Sequence, residues 1–296
     1  MTVYFMRPKM LIFGFGYTAA FVARTLADMD FHITGTSRNL GSFRQDIEKG
    51  YDLINFTNTD VEKSLRSVTH ILVSTPPSAQ LGDPVISNFV ELIKKYAPQY
   101  QWLGYLSSTG VYGDHQGKWV DESSASISLG PQAQLRLNAE KAWLLLAQNH
   151  QLPLHIFRIA GIYGPQRNAL TRIAQGKTQT IYKENHYFSR IHVQDIAKVL
   201  VASIKKPNPI SIYNVSDDEP APAHEVDEYA ARLLNVAALE RLPFEFATLS
   251  PMAKEFYTHH RRVSNSKIKQ ELLVTLTYPT YREGLQHLYE AGDYSC

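Results

Sequence analysis

The stretch KMLIFGFGYTAAFVARTL, Lys9 to Leu26, constrains this chain more than any other. An apolar run ends in Gly14-x-Gly16-x-x-Ala19, and an amphipathic pattern begins directly behind it. The first glycine permits a tight turn, and the second lets backbone approach a pyrophosphate. The third position needs only a residue small enough for helix to pack on strand, which Ala19 supplies. A helix opening at Tyr17 and Thr18 turns unpaired N–H groups and the positive end of its dipole toward that loop, which suits phosphates. The alternative is an ordinary glycine-rich turn. Against it stand the strand before, the helix behind and a second strand after, which together make a βαβ unit and hence a parallel sheet.

The same alternation continues. Strands are expected at Met10–Phe13, His32–Thr36, Asp52–Phe56, His70–Ser74, Trp102–Ser107 and Leu154–Ile159, and helices at Tyr17–Met29, Pro84–Tyr96 and Leu135–Asn149. This is an α/β chain: a Rossmann-type doubly wound parallel sheet. Beyond Gly164 the pattern loosens, prolines punctuate it, and a further strand (ISIYNVSD) and helices near Ala223–Leu234 and Tyr281–Glu290 follow. The expected division is a cofactor-binding domain over 1–165, completed by 188–218, and a smaller C-terminal substrate-binding lid from 166–187 and 219–296.

The formal charge of +2 and the lack of any dense Lys/Arg block argue against a nucleic-acid partner. Cys296 is the only cysteine, so an internal disulfide and a cysteine-rich zinc site are excluded and a cytoplasmic protein is expected. Arg7 and Lys9 ahead of the apolar run give it the look of a signal peptide. Two glycines interrupt that run, however, and the helical pattern continues to Asp28, so strand, turn and helix are expected instead. No apolar stretch reaches the length of a membrane span. A small-molecule substrate is the expected partner, with a homodimer left open.

About twenty residues past the loop, an NAD site would place an Asp or Glu on the ribose hydroxyls. This chain has TGTSRNL there. Ser37 and Arg38 offer a hydroxyl and a guanidinium, the groups a 2′-phosphate requires, so NADP is favoured and NAD is less favoured; a solvated arginine is the alternative. Ser74, Thr75 and Pro76 close the strand ILVSTPPS and are expected beneath the nicotinamide ribose, unless the prolines merely end the strand.

Five segments carry a resemblance that spans nearly the whole chain: FGFGYTA, SSTGVYG, FRIAGIYGP, FSRIHVQDIA and IYNVSDDEP. On them the chain is similar to the extended short-chain dehydrogenase/reductases, the NAD-dependent epimerase/dehydratase family of nucleotide-sugar enzymes. The resemblance implies that Ser108 polarises the reacting oxygen, that Ser107 stands beside the cofactor, and that a Tyr-x-x-x-Lys pair on the following helix completes the site. A slip of one helical turn would align Arg136 and Glu140 with that pair, whereas counting back from Arg158 through Glu140 puts Gln132 at the Tyr position and Arg136 at the Lys position; in either register the pair is absent. Neither Gln132 nor Arg136 titrates near neutrality.

The chain therefore resembles the atypical members of the family. Arg136 is expected to hydrogen-bond a ribose or an oxyanion, or else to pair with Glu140 one turn on. Tyr112 is the candidate replacement acid if its phenol points into the cleft, and a packed aromatic otherwise. The Ser107–Thr109 cluster has a turn-and-cap alternative. His192 is either a cleft residue or a core histidine. His259 and His260 lack the partners of a metal site, so no metal is assigned. Arg261 and Arg262 are candidates for holding a nucleotide diphosphate, or a solvated turn. The leading expectation is an NADP(H)-binding oxidoreductase or epimerase/dehydratase-like enzyme acting on a polar carbonyl or hydroxyl substrate, with a nucleotide sugar as the candidate. The alternative is a catalytically inactive NADPH-binding sensor or scaffold.

Overall fold

In the computed structural model, which describes residues 7–37, 50–127 and 130–294, the run KMLIF forms β1 (Lys9–Phe13). Every residue of it after Lys9 is buried, as in a strand covered on both faces. It stands in a seven-stranded sheet. The other strands of that sheet, numbered along the chain, are β2 (His32–Ser37), β3 (Asp52–Asn55), β4 (His70–Val73), β5 (Trp102–Ser108), β6 (Leu154–Ile159) and β7 (Ser211–Val215). Their order across the sheet is β7-β6-β5-β4-β1-β2-β3. β1 pairs in parallel with β2 and β4, β2 with β3, and β4 with β5. The winding reverses between β1 and β4, the switch point at which α/β sheets open a ligand crevice beyond their strand ends. The fold is thus α/β, Rossmann-type and doubly wound.

Helices follow where local chemistry starts them. Asp83 accepts from the backbone N–H groups of Val85 at 2.9 Å and Ile86 at 3.0 Å, and Pro84 takes the first helical position of Pro84–Tyr96. That helix buries Val85, Phe89 and Ile93, four residues apart, on one face. A helix over Asn58–Leu65, capped by Thr57, was not expected from the sequence pattern.

The chain forms two compact units. The first comprises Met1–Ser107, Leu135–Arg158 and Ala197–Tyr213. Its core packs Leu11, Phe13, Ile71, Val73, Leu103 and Tyr105 of the strands with Phe89 and Trp143 of the helices. The second comprises Ser108–Gln134, Ile159–Ile196 and Asn214–Cys296. Its core gathers Leu170, Ala230, Tyr281 and Leu285 from the helices Ala169–Ala174, Ala223–Leu233 and Tyr281–Glu290. Thr280 and Glu283 form a capping box that opens the last of these. A Cβ at Gly284 in that helix would lie 2.1 Å from the Tyr163 hydroxyl, so the glycine is what admits Tyr163. Among the described residues no helix is long and apolar enough to cross a membrane.

Candidate functional site

In the first unit, the glycine loop shows why each small residue is needed. Gly14 has φ +85°, its N–H donates to Thr36 Oγ1 at 3.0 Å, and a Cβ on it would meet Thr75 Cγ2 at 2.8 Å. Gly16 caps the helix Tyr17–Ala27 with no side-chain hydrogen bond, and that helix has no acidic residue in its first turn. A Cβ on Gly16 would meet nothing within 4 Å. Thr18 and Ala19 are buried beneath the helix start. Ser74 N–H donates to Phe13 O at 2.8 Å, which carries the end of β4 past the loop. Thr75 Oγ1 is buried there without a partner among the described residues, and Pro76 is exposed. Uncapped N–H groups, open space over Gly16 and an orphaned hydroxyl fit a dinucleotide pyrophosphate and ribose. Ser37 ends β2 half-buried, and Arg38 lies outside the described residues.

The two glycines separate folding from binding. Gly14→Ala is expected to cost about 1–3 kcal/mol through its left-handed backbone and the Thr75 clash. Gly16→Ala should leave stability within about 0.5 kcal/mol yet put a methyl where a pyrophosphate would approach. Chemical denaturation and calorimetry with a nicotinamide dinucleotide check both halves.

At the end of β5 the hydroxyls diverge. Ser107 is buried and donates to Glu140 Oε1 at 2.5 Å, and Arg158 grips the same carboxylate through Nε at 3.1 Å and Nη2 at 2.8 Å. Glu140 is therefore held by Arg158 and Ser107, not by Arg136. Arg136 instead donates from Nη1 to Leu106 O at 2.7 Å, a fixed cation against the strand that carries the hydroxyls. Burial raises the Asp83 carboxyl near it, while the Ile86 and Val85 N–H groups, Trp143 and Arg136 work against that rise. Gln132 is exposed.

In the second unit, Ser108 Oγ accepts from Gly110 N–H at 3.1 Å and caps the short turn Thr109–Tyr112. Among the described residues its own proton meets no acceptor. Tyr112 has the surroundings of a packed aromatic, one of its two readings. It has no exposed surface, packs with Val120 and Val263, and donates its hydroxyl proton to Asn214 Oδ1 at 2.8 Å. His192 likewise proves a core histidine, fully buried against the rings of Tyr163 and Tyr278.

A cavity of about 480 Å³ opens in this unit. Its walls include Thr109, the aromatic residues Tyr163, Tyr187, Phe188 and Tyr257, and the guanidinium-bearing Arg167, Arg172, Arg190 and Arg261. Arg172 pairs with Asp227 at 3.2 Å. Arg190 donates from Nη1 to Phe188 O and Ala221 O, both at 2.8 Å. Arg261 donates from Nη1 to Gly113 O at 2.9 Å, and among the described residues its buried Nε has no partner. Burial draws its guanidinium down to about 10 against the pull of Asp114 and Tyr112. Arg262 faces away, its guanidinium 5.5 Å from the ring centres of both Trp119 and Tyr187. Of the two arginines singled out together in the sequence, only Arg261 borders the cavity. Arg190 and His259 were missed as cavity residues; the signal that finds His259 is the alternation of HHRRV.

No protein-family model matches the chain. A functionally unknown conserved protein from Silicibacter pomeroyi DSS is 42% identical, with a TM-score of 0.90 over 97% of this chain and 100% of that one. The dTDP-glucose 4,6-dehydratase from Bacillus anthracis, solved in complex with NAD, superposes with a TM-score of 0.77 at 20% identity over 96% of each chain. The UDP-N-acetylglucosamine 4-epimerase from Bacillus cereus does so with a TM-score of 0.78 at 15% identity, over 96% of this chain and 99% of that one. At such identities these two show the fold. An uncharacterized UDP-glucose epimerase, YtcB of Bacillus subtilis, is 29% identical over 116 residues, and the match spans only 36% of either chain.

Proposed function

Because the chain belongs to one family with the conserved Silicibacter pomeroyi protein and has the extended short-chain dehydrogenase/reductase fold, we propose that it is a nicotinamide-dinucleotide-dependent oxidoreductase or epimerase/dehydratase-like enzyme. Its substrate is anionic and bears a polar carbonyl or hydroxyl; a nucleotide sugar is the leading class. The observation that carries this reading is one corner of the second unit. There, among the described residues, Ser108 keeps a hydroxyl proton to donate, Thr109 borders the cavity, and Arg261 is anchored on Gly113 O with a buried Nε that lacks a partner. A buried donor without a partner costs about 1–3 kcal/mol, so the corner is better explained by an acceptor that the substrate brings.

The residues take distinct parts. The helix start behind Gly16 and the Thr75 hydroxyl would hold the dinucleotide, which supplies hydride exchange when bound. Ser108 polarises the reacting oxygen, Arg261 balances the substrate's negative charge, and the aromatic wall of Tyr163, Tyr187 and Phe188 keeps water from the substrate's body. Ser37 and Arg38, with no carboxylate beside them, favour NADP(H) over the NAD that similar proteins carry. Arg38→Ala should weaken NADPH binding by about ten- to a hundredfold and leave NADH nearly unchanged.

The deciding experiment follows NAD(P)H absorbance with pyruvate, glyceraldehyde 3-phosphate, UDP-glucose and dTDP-glucose, together with product analysis for redox-neutral epimerisation. Turnover is expected with at least one. Ser108→Ala should then lower kcat by about 10² to 10³ with cofactor affinity unchanged. Tight NADPH binding without turnover of any of these compounds would favour the sensor reading.

A further inference from the structure

The missing Tyr-x-x-x-Lys pair leaves the reaction without a proton carrier, and the second unit provides one. The chain runs extended from His259, at φ −98° and ψ 118°, into the short strand Arg262–Val263. Successive side chains of an extended segment point to opposite sides. His259, Arg261 and Val263 accordingly line the cavity. His260 turns the other way, its ring 4.7 Å from that of His186 and its Nε2 accepting from Tyr187 N–H at 3.2 Å. Arg262 turns with it, onto Trp119 and Tyr187. The imidazole of His259 is thus the neighbour of Arg261 on the cavity face, and Arg261 is hydrogen-bonded to the hydroxyl-bearing turn itself.

Several phenols of this unit serve poorly. Tyr112 holds Asn214 and has no exposed surface. Burial pushes the Tyr257 and Tyr281 phenols up to about 12 and the Tyr163 phenol higher still. Histidine is the side chain whose ordinary range spans neutral pH. Around the His259 segment stand Asp114, whose charge acts on both His259 and His260, Glu255 one helical turn before, and Arg261 two residues after. Among the described residues no hydrogen bond or ion pair fixes the His259 ring.

We propose that His259 is the catalytic proton donor and acceptor for the substrate oxygen that Ser108 polarises beside Arg261, a proposal that rests on the function proposed above. In the reducing direction His259 gives its imidazolium proton to the carbonyl oxygen as the carbonyl carbon takes hydride from a dihydronicotinamide. One O–H bond and one C–H bond form, the imidazole N–H bond and the C4–H bond of the dihydronicotinamide break, the hydride pair becomes the new C–H bond and the C=O π pair becomes the O–H bond. The substrate is reduced to an alcohol and the dihydronicotinamide is oxidised. The neutral imidazole then recovers its proton from water.

Two measurements test this. In the cofactor-free protein, inorganic phosphate is the probe. NMR resonances of the His259 ring should move on its addition, and the movement should be lost in Arg261→Gln. Resonances that stay fixed would overturn the proposal, because the imidazole would then not share an anion's site with Arg261. In turnover with the substrate found by the screen, His259→Gln should lower kcat by about 10² to 10⁴, flatten its pH dependence and leave cofactor affinity intact, with added imidazole restoring part of the rate to His259→Ala. Turnover within threefold of the parent would overturn the proposal while the function stands. If the parent turns over none of the compounds, the function itself falls and the proposal falls with it.

Discussion

Acidification from about pH 6.5 to about pH 4 should remove most of the protein's stability, because the fold keeps four imidazoles neutral that the unfolded chain would protonate. Burial draws His70, His155 and His186 down to about 4 and His192 to about 3, from an ordinary 6.5. Hydrogen bonding shows the same for His155. Its Nε2 accepts from the Asn208 N–H at 3.0 Å and its Nδ1 donates to Pro153 O at 3.0 Å, so a second ring proton would face a donor. The sign follows from these depressed values. Above about 6.5 both states are neutral and the stability is complete; as pH falls toward 4 the unfolded chain binds more protons and stability drains away. A full shift is worth about 3 kcal/mol per imidazole, and four approach the 5–15 kcal/mol total of an ordinary protein. Asp217 acts in the opposite sense, since burial lifts its carboxyl well above the ordinary value and it contributes stability that is lost as pH rises. Asp83 and Glu122, also raised by burial, act as Asp217 does. The carboxylates of Asp114, Asp121, Asp227 and Glu283 are held down by their hydrogen bonds and nearby cations and lose stability with the imidazoles as pH falls, so the direction is unchanged. Thermal melts across this range measure it, and His155→Leu should reduce the pH slope by up to about one proton. A melting temperature that stays level between about pH 7 and about pH 4.5 would contradict the account.

The sheet was legible because its signals are local. Runs such as MLIF and HILV are buried along their whole length, and each of the six strands expected in the first half ends within one residue of its observed limits. The glycine loop was legible for the same reason, since turn, open space and helix start all fall within six consecutive residues. The helix Asn58–Leu65 escaped because its eight residues carry too few apolar positions, only Val61 and Leu65 being buried, to show a period.

The site was less legible because its partners are distant. Whether Tyr112 carries protons or packs depends on Asn214, 102 residues away. Whether Arg136 is free depends on Leu106 O, thirty residues back on β5. Neither follows from spacing along one helix. The cavity draws its wall from segments between Thr109 and Leu285, so composition near any one of them is uninformative. His259 and His260 were weighed as metal ligands, for which spacing to other ligands matters. The useful feature was the alternation that sends one ring into the cavity and the other into the aromatic cluster of His186, Tyr187 and Tyr257.

Glu140→Gln should be the most destabilising single change at the hydroxyl-bearing end of β5, costing about 3–5 kcal/mol. The carboxylate is 1% exposed and neutralises Arg158, itself 5% exposed, through two hydrogen bonds while accepting a third from Ser107. An amide keeps the shape but removes the charge, and one of its two ends must point an N–H at a donor. Arg158, a buried cation, then loses the carboxylate that it grips through two hydrogen bonds, which is why removing one partner costs more than the pair is worth. Ser107→Ala leaves the ion pair whole and should cost only about 1 kcal/mol. Replacing both charges together, as Glu140→Leu with Arg158→Met, should recover much of the loss, since two apolar side chains carry no desolvation penalty. Urea midpoints of the three variants separate the contributions. A Glu140→Gln variant no less stable than Ser107→Ala would mean that water reaches Arg158, and the strand end that presents Ser108 would then be held by Arg136 on Leu106 O instead of by this buried pair.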